Sequence, residues 1–168
     1  MATRVLVAYA TKHGSTREIA ETIGRIIRTG GCEVEVVTAR EVNDLRPFDA
    51  VVLGSALYAA HWQREANRFV ARHLGALKSR PVWLFSSGPL DHSADRENLP
   101  LTPHVAPQVE PIGARGHRTF GGRLLRGTPG IEERVFDTHP VGDFRDFAAI
   151  EAWAEGIAHE LAREAAAG

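Results

Sequence analysis

The stretch Arg4-Val5-Leu6-Val7-Ala8-Tyr9-Ala10-Thr11-Lys12-His13-Gly14-Ser15-Thr16-Arg17-Glu18-Ile19-Ala20 decides the fold. Val5 to Tyr9 is an unbroken apolar run, the pattern of a strand buried on both faces. From Ser15 onward the period changes, and Ile19, Ile23, Ile26 and Ile27 share one helical stripe. Between the two lies a turn rich in hydroxyls. A helix start leaves N–H groups unpaired and carries a partial positive charge. Gly14 lets a ligand approach the backbone closely, and Thr11, Ser15 and Thr16 add hydroxyl donors. Strand, turn and helix start in this order predict a phosphate-binding loop over Thr11–Thr16. Neither a Gly-x-Gly-x-x-Gly nor a Gly-Lys-Thr ending accompanies it. Ser15 and Glu18 have the spacing of a capping box, and Gly30-Gly31 closes the helix.

Outward from this unit, apolar runs alternate with helical patterns, which predicts a parallel sheet with helices on both faces. A second strand is read over Glu33 to Thr38, a turn over Asn43 to Phe48 and a third strand over Ala50 to Leu53. A second helix runs from about Trp62 to Leu77, with Ala66, Phe69, Val70, His73, Leu74 and Leu77 in register. The fourth strand is Pro81 to Phe85 and the fifth His117 to Phe120. Asp146 is a good N-cap for a last helix that turns Phe147, Ile150, Trp153, Ile157 and Leu161 inward, with Ala165–Gly168 frayed. Two stretches stay irregular, Gly88–Gly116 and Arg126–Gly142; in the first, Pro103, Pro107 and Pro111 weaken any helix between Leu101 and Ala114. The spacing predicts an α/β doubly wound sheet of five parallel strands in the order 2-1-3-4-5, with all of residues 1–168 in one domain. Ligands of such sheets sit beyond the carboxyl ends of the strands, so function belongs to the loops Ala10–Thr16, Ser55–His61 and Ser86–His92.

Composition removes several classes of function. A net charge of −1 gives no footprint for nucleic acid or an anionic membrane. No apolar run approaches the about 18 residues of a membrane helix, and no signal peptide opens the chain, so a cytoplasmic protein is expected. The single cysteine, Cys32, excludes an internal disulfide and reads as an inert core residue at a strand start. The eight histidines are scattered without zinc spacing, so no metal is expected.

Thr-x-x-Gly-x-Thr after the first strand, Gly54-Ser55 after the third and Ser86-Ser87-Gly88 after the fourth resemble the flavodoxin family. Thr16-Arg17-Glu18-Ile19-Ala20, Phe120-Gly121-Gly122-Arg123-Leu124 and Gly142-Asp143-Phe144-Arg145-Asp146-Phe147 are similar to the flavodoxin-like menaquinone-dependent protoporphyrinogen oxidases. The resemblance implies flavin mononucleotide (FMN) as cofactor. Thr11, Lys12, His13, Gly14, Ser15 and Thr16 would hold its phosphate, with Lys12 or a protonated His13 adding positive charge. Ser55, Ala56, Leu57 and Tyr58 would face the flavin ring, and Ser86, Ser87 and Gly88 its polar edge. Tyr58 and Trp62 are candidates to stack on the ring, although Trp62 reads equally well as the first core residue of the second helix. His61 is the one candidate for a catalytic proton donor, against a solvated position at a helix start. The third loop carries no aromatic, which leaves one flavin face open unless a residue of Asp91–Gly116 covers it.

The resemblance further implies a choice between enzyme and electron carrier. Carriers of this family are strongly acidic, and they place a glycine beside flavin N5 for a peptide flip. This chain is nearly neutral and has no glycine between Ser55 and Trp62. A Cβ disfavours the left-handed backbone that such a flip uses, by roughly 1–2 kcal/mol. The expectation is an oxidoreductase doing two-electron chemistry on a protoporphyrinogen-like substrate or a quinone; the alternatives are an electron-transfer protein with a redox-protein partner and a flavin-free binding protein. Arg115, His117, Arg118, Arg123 and Arg126 bracket the fifth strand and could attract a carboxylate-bearing substrate or simply be solvated. Oligomeric state is left open.

Overall fold

A computed structural model describes the chain from Met1 to Gly168. Five strands, β1 (Arg4–Ala10), β2 (Glu33–Thr38), β3 (Ala50–Tyr58), β5 (Val82–Ser87) and β6 (Gly116–Phe120), form a parallel sheet in the order β2-β1-β3-β5-β6. The sixth, β4 (His61–Trp62), folds back antiparallel on the end of β3. Counting only the parallel strands, this is the order 2-1-3-4-5 expected from the sequence. Register places Val5 beside Ala50 and Val51 beside Val82, so the apolar runs stack across the sheet.

Alternate residues of these runs face opposite cores. Helices α1 (Ser15–Thr29) and α6 (Phe147–Ala167) cover one face, where Ile19, Ile23, Ile27, Ile150 and Ile157 meet Val5, Val7, Val52 and Phe85. Helix α2 (Arg64–Lys78) covers the other, burying Phe69, Val70 and Leu77 against Leu6, Val51 and Leu84. Each side chain buried there contributes about 1.5–3 kcal/mol over its exposed state. The irregular stretches contain only short elements: α3 (Ser93–Arg96), α4 (Ala106–Val109) with a 3-10 turn after it, the β7 (Arg123–Leu124) and β8 (Gly142–Asp143) ladder, and α5 (Val135–Thr138). Pro107 sits in the first turn of α4, where its missing N–H costs nothing. No helix is long and apolar enough to cross a membrane.

Several local expectations are corrected. The N-cap of α1 is Gly14 at φ 87°, with no side-chain cap, so Ser15 and Glu18 form no capping box; Glu18 is drawn away to two arginines. Helix α2 starts at Arg64, because Trp62 is recruited into the hairpin with β3. Cys32 is half-buried and precedes β2, and burial pushes its thiol pKa up. Helix α6 continues to Ala167, through the tail expected to be frayed.

Candidate functional site

Beyond the carboxyl ends of β1, β3 and β5 lies a cleft of about 570 Å³. Its first wall is the turn after β1, of which Lys12, His13 and Ser15 line the cleft, while Thr11 faces a separate depression beside Thr38 and Glu41. Thr11 Oγ1 accepts a hydrogen bond from the Gly14 amide at 3.0 Å, which curls the turn over the head of α1. Gly14 needs its left-handed φ, and the space a Cβ would take is empty. Thr16 is fully buried and its Oγ1 has no hydrogen-bond partner. An orphaned hydroxyl costs about 1–3 kcal/mol unless a ligand satisfies it. Together with the free N–H groups of a fifteen-residue helix, it fits a phosphate oxygen.

The turn is braced from a distance. Arg145, with its side chain 3% exposed, donates to the Ser15 carbonyl at 3.0 Å and pairs with Asp143 at 2.7 Å and Glu18 at 3.2 Å. Arg123 also holds Glu18, at 3.0 Å, and lines the cleft. His13 lines it too, but burial first and Lys12 second lower its pKa, so the charge expected there belongs to Lys12.

The second wall is the end of β3 and its hairpin. Ala56, Leu57, Tyr58, Ala59 and Ala60 line the cleft. Tyr58 pairs with His61 across a two-residue loop, and Ala59 and Ala60 stand at φ 47° and 65°. A two-residue hairpin of type I′ requires positive φ at both central positions. The left-handed backbone that a Cβ was expected to exclude here is therefore present in two alanines. Thr102 Oγ1 donates to the Ala60 carbonyl at 2.6 Å and holds the turn. The His61 ring is exposed and stacks on His104, centroids 3.9 Å apart; His61 is not among the residues lining the cleft.

The hydroxyls of the second and third loops face inward. Ser55 Oγ donates to the Ala56 carbonyl and accepts from the Gln63 amide, both at 2.9 Å. Trp62, 3% exposed, donates through Nε1 to Ser86 Oγ at 2.9 Å, so it is a core residue and does not face the cleft. Ser86 Oγ lies 3.1 Å from His117 Nε2. With the indole as donor, the hydroxyl proton goes to His117, which burial holds neutral with its pKa lowered to about 4. Ser87 Oγ donates to the Gly121 carbonyl. These serines leave only backbone groups for a ligand.

Pro89 and Leu90 of the expected third loop line the cleft as well, and three further contributions were missed in the sequence. Gly121 and Gly122 permit close approach: a Cβ on Gly121 would collide with the Phe144 carbonyl, and one on Gly122 would press on Gly88. Leu124 enters from β7. The stretch between β7 and β8 then folds over the site and supplies Ile131, Val135 and His139, while Pro129 and Gly130 approach His13. The open side of the cleft is thus covered mainly from 131–139, with Thr102 the one contribution from 91–116. The basic cluster does not converge: Arg115 pairs with Glu160 and Glu164, Arg123 with Glu18 and Arg126 with Glu133, while His117 is largely buried.

A doubly wound sheet with a hydroxyl-lined anion turn at its switch point defines a mononucleotide-binding α/β protein. The flavodoxin domain model matches residues 6–134, and the chain belongs to that family. FMN is accordingly its cofactor, and its role is an FMN-linked redox one. The chain is 26% identical over 85 residues to protoporphyrinogen IX dehydrogenase [quinone] of Escherichia coli K12, 49% of this chain and 47% of that protein. It thus spans about half the length of the curated relatives it matches. Among solved structures it resembles a flavodoxin from the domain Archaea (TM-score 0.64, 15% identity, 95% and 99% of the two chains). It also resembles the rubredoxin oxygen:oxidoreductase of Desulfovibrio gigas (TM-score 0.65, 14% identity, 97% of this chain and 37% of that one). At these identities the structural likeness shows the fold.

Proposed function

We propose that residues 1–168 act as one FMN enzyme that performs two-electron oxidation or reduction of a small flat substrate, a protoporphyrinogen-like compound or a quinone. The observation that carries this reading is the covered apolar side of the cleft, where Leu57, Pro89, Leu90, Leu124, Ile131 and Val135 face the space beside the phosphate turn. A shuttle needs only an exposed ring edge, whereas a second, water-shedding compartment suits a substrate. The match to a protoporphyrinogen dehydrogenase is consistent with it.

Ser15 and Thr16 would hold the FMN phosphate through their backbone N–H groups and the free Thr16 hydroxyl, in a turn that Thr11 shapes by accepting from the Gly14 amide. Ala56, Leu57 and Tyr58 would flank the ring, and the backbone of Ser87 and Gly88 would meet its polar edge. Once bound, FMN supplies the electron-pair acceptor and donor. The protein orients it, and the 131–139 cover excludes water from the reacting face. Arg145 does not touch the ligand; it positions Ser15 through the carbonyl. His61, stacked outside on His104, takes no proton-transfer role in this reading.

The electron-carrier reading rests on Tyr58, which is 55% exposed at the mouth and would offer a path to a redox-protein partner. Anaerobic mixing of reduced, FMN-loaded protein with a series of quinones, and of oxidised protein with porphyrinogens, tests both. Saturable turnover with one small molecule supports the enzyme. Transfer to a redox protein alone, with no saturable small-molecule reaction, favours the carrier.

A further inference from the structure

Lys12 belongs to the phosphate turn, but its side chain does not point at the phosphate end of the cleft. Its ammonium lies 3.8 Å from the centroid of the Tyr58 ring, on the hairpin at the opposite wall. Lys12 is exposed, forms no side-chain hydrogen bond and has no carboxylate within ion-pair distance, whereas the other full cation in the cleft lining, Arg123, is held by Glu18. Arg145 behind the turn is neutralised by Asp143 and Glu18. His13 is pushed toward neutrality by its burial. The cleft therefore presents one uncompensated positive charge. With a phosphate at the head of α1, a mononucleotide stretched along the cleft brings its ring to the Ala56–Ala60 wall, where that charge sits.

We propose that Lys12 is a redox-tuning residue that stabilises the negative charge which a bound flavin ring acquires on two-electron reduction. The inference rests on the FMN reading and deepens it. Dithionite, oxidised to sulfite, delivers two electrons to the ring. One proton from water goes to N5, and the remaining negative charge spreads over N1 and the adjacent carbonyl. An ammonium beside the ring favours that anion over the neutral oxidised ring. The cation–π contact with Tyr58 keeps the charge at the ring end before the ligand arrives.

The test compares wild type, Lys12→Met and Lys12→Arg, each titrated anaerobically with oxidised and with dithionite-reduced FMN and each followed by potentiometry. Lys12→Met should weaken binding of reduced FMN relative to oxidised FMN about tenfold, equivalent to a fall of about 30 mV in the two-electron midpoint potential. Lys12→Arg should keep the ratio within about twofold of wild type. The gap between wild type and Lys12→Met should narrow at about 0.5 M salt, which a merely structural role would not produce. An unchanged ratio in Lys12→Met, with FMN still bound, overturns the role of Lys12 and leaves the FMN reading standing. Failure of wild type itself to bind FMN overturns both.

Discussion

At the scale of single residues, the unpartnered Thr16 hydroxyl separates a ligand site from a merely well-capped helix. It is fully buried, at the head of a helix whose N–H groups need an acceptor. Thr16→Val keeps the shape and removes the orphan. It should stabilise the FMN-free protein by about 1 kcal/mol and weaken FMN binding by about 1.5–3 kcal/mol, since bonds to a charged acceptor are the stronger kind. Urea unfolding of the apoprotein and a flavin-fluorescence titration measure the two effects. Loss of stability without loss of affinity would place the phosphate elsewhere. Thr16 was legible because it sits within six residues of Thr11. The inward-turned hydroxyls of Ser55, Ser86 and Ser87 were not, because their partners Gln63, Trp62, His117 and Gly121 are brought to them by other strands.

At the scale of elements, the β3–β4 hairpin carries two alanines in a conformation that glycine or asparagine normally occupies. Left-handed backbone costs an L-residue roughly 1–2 kcal/mol, and glycine gives back about 0.5–1 kcal/mol through its floppier unfolded chain. Ala60→Gly should therefore raise stability by about 0.5–1 kcal/mol, and Ala60→Val should lower it, both read from urea midpoints. A destabilised Ala60→Gly would mean that the turn is not held left-handed in solution. No propensity rule selects this geometry from Tyr-Ala-Ala-His. It follows from the pairing of Tyr58 with His61, and the Thr102 bond to Ala60 reinforces it.

For the whole molecule, proton and ligand linkage give two outcomes. His117 has a folded pKa of about 4 against about 6.5 unfolded, and His73 and His13 are lowered as well, each chiefly by burial. Below pH 6.5 the unfolded chain binds protons that the folded one refuses. The stability that His117 contributes is thus fully present above pH 6.5 and is lost as pH falls toward 4, by at most about 1.4 kcal/mol per pH unit, and His73 and His13 add losses of the same sign. Urea unfolding at a series of pH values measures the slope, and His117→Gln should flatten it. FMN binds only the folded state, so holoprotein with free FMN at about 100 times Kd should gain about 2.7 kcal/mol. In a chain of this size each kcal/mol is worth roughly 2–4 °C, so removing FMN should lower Tm by roughly 5–11 °C. A Tm indifferent to FMN would contradict binding at the cleft.

The sequence by itself determined the central strands and the strand–turn–helix unit around Thr11–Thr16. Both are local: an apolar run buried on two faces has few alternatives, and strand, turn and helix start are contiguous between Arg4 and Ala20. Only the tertiary structure decided what surrounds that turn. Arg145 reaches Ser15 from 130 residues away, Trp62 leaves its helix for the core, and the aperiodic stretch at 131–139 closes over the cleft. Such contacts join segments that share no period and no spacing. Their energies come from burial and ion pairing, which exist only once the sheet has brought the segments together.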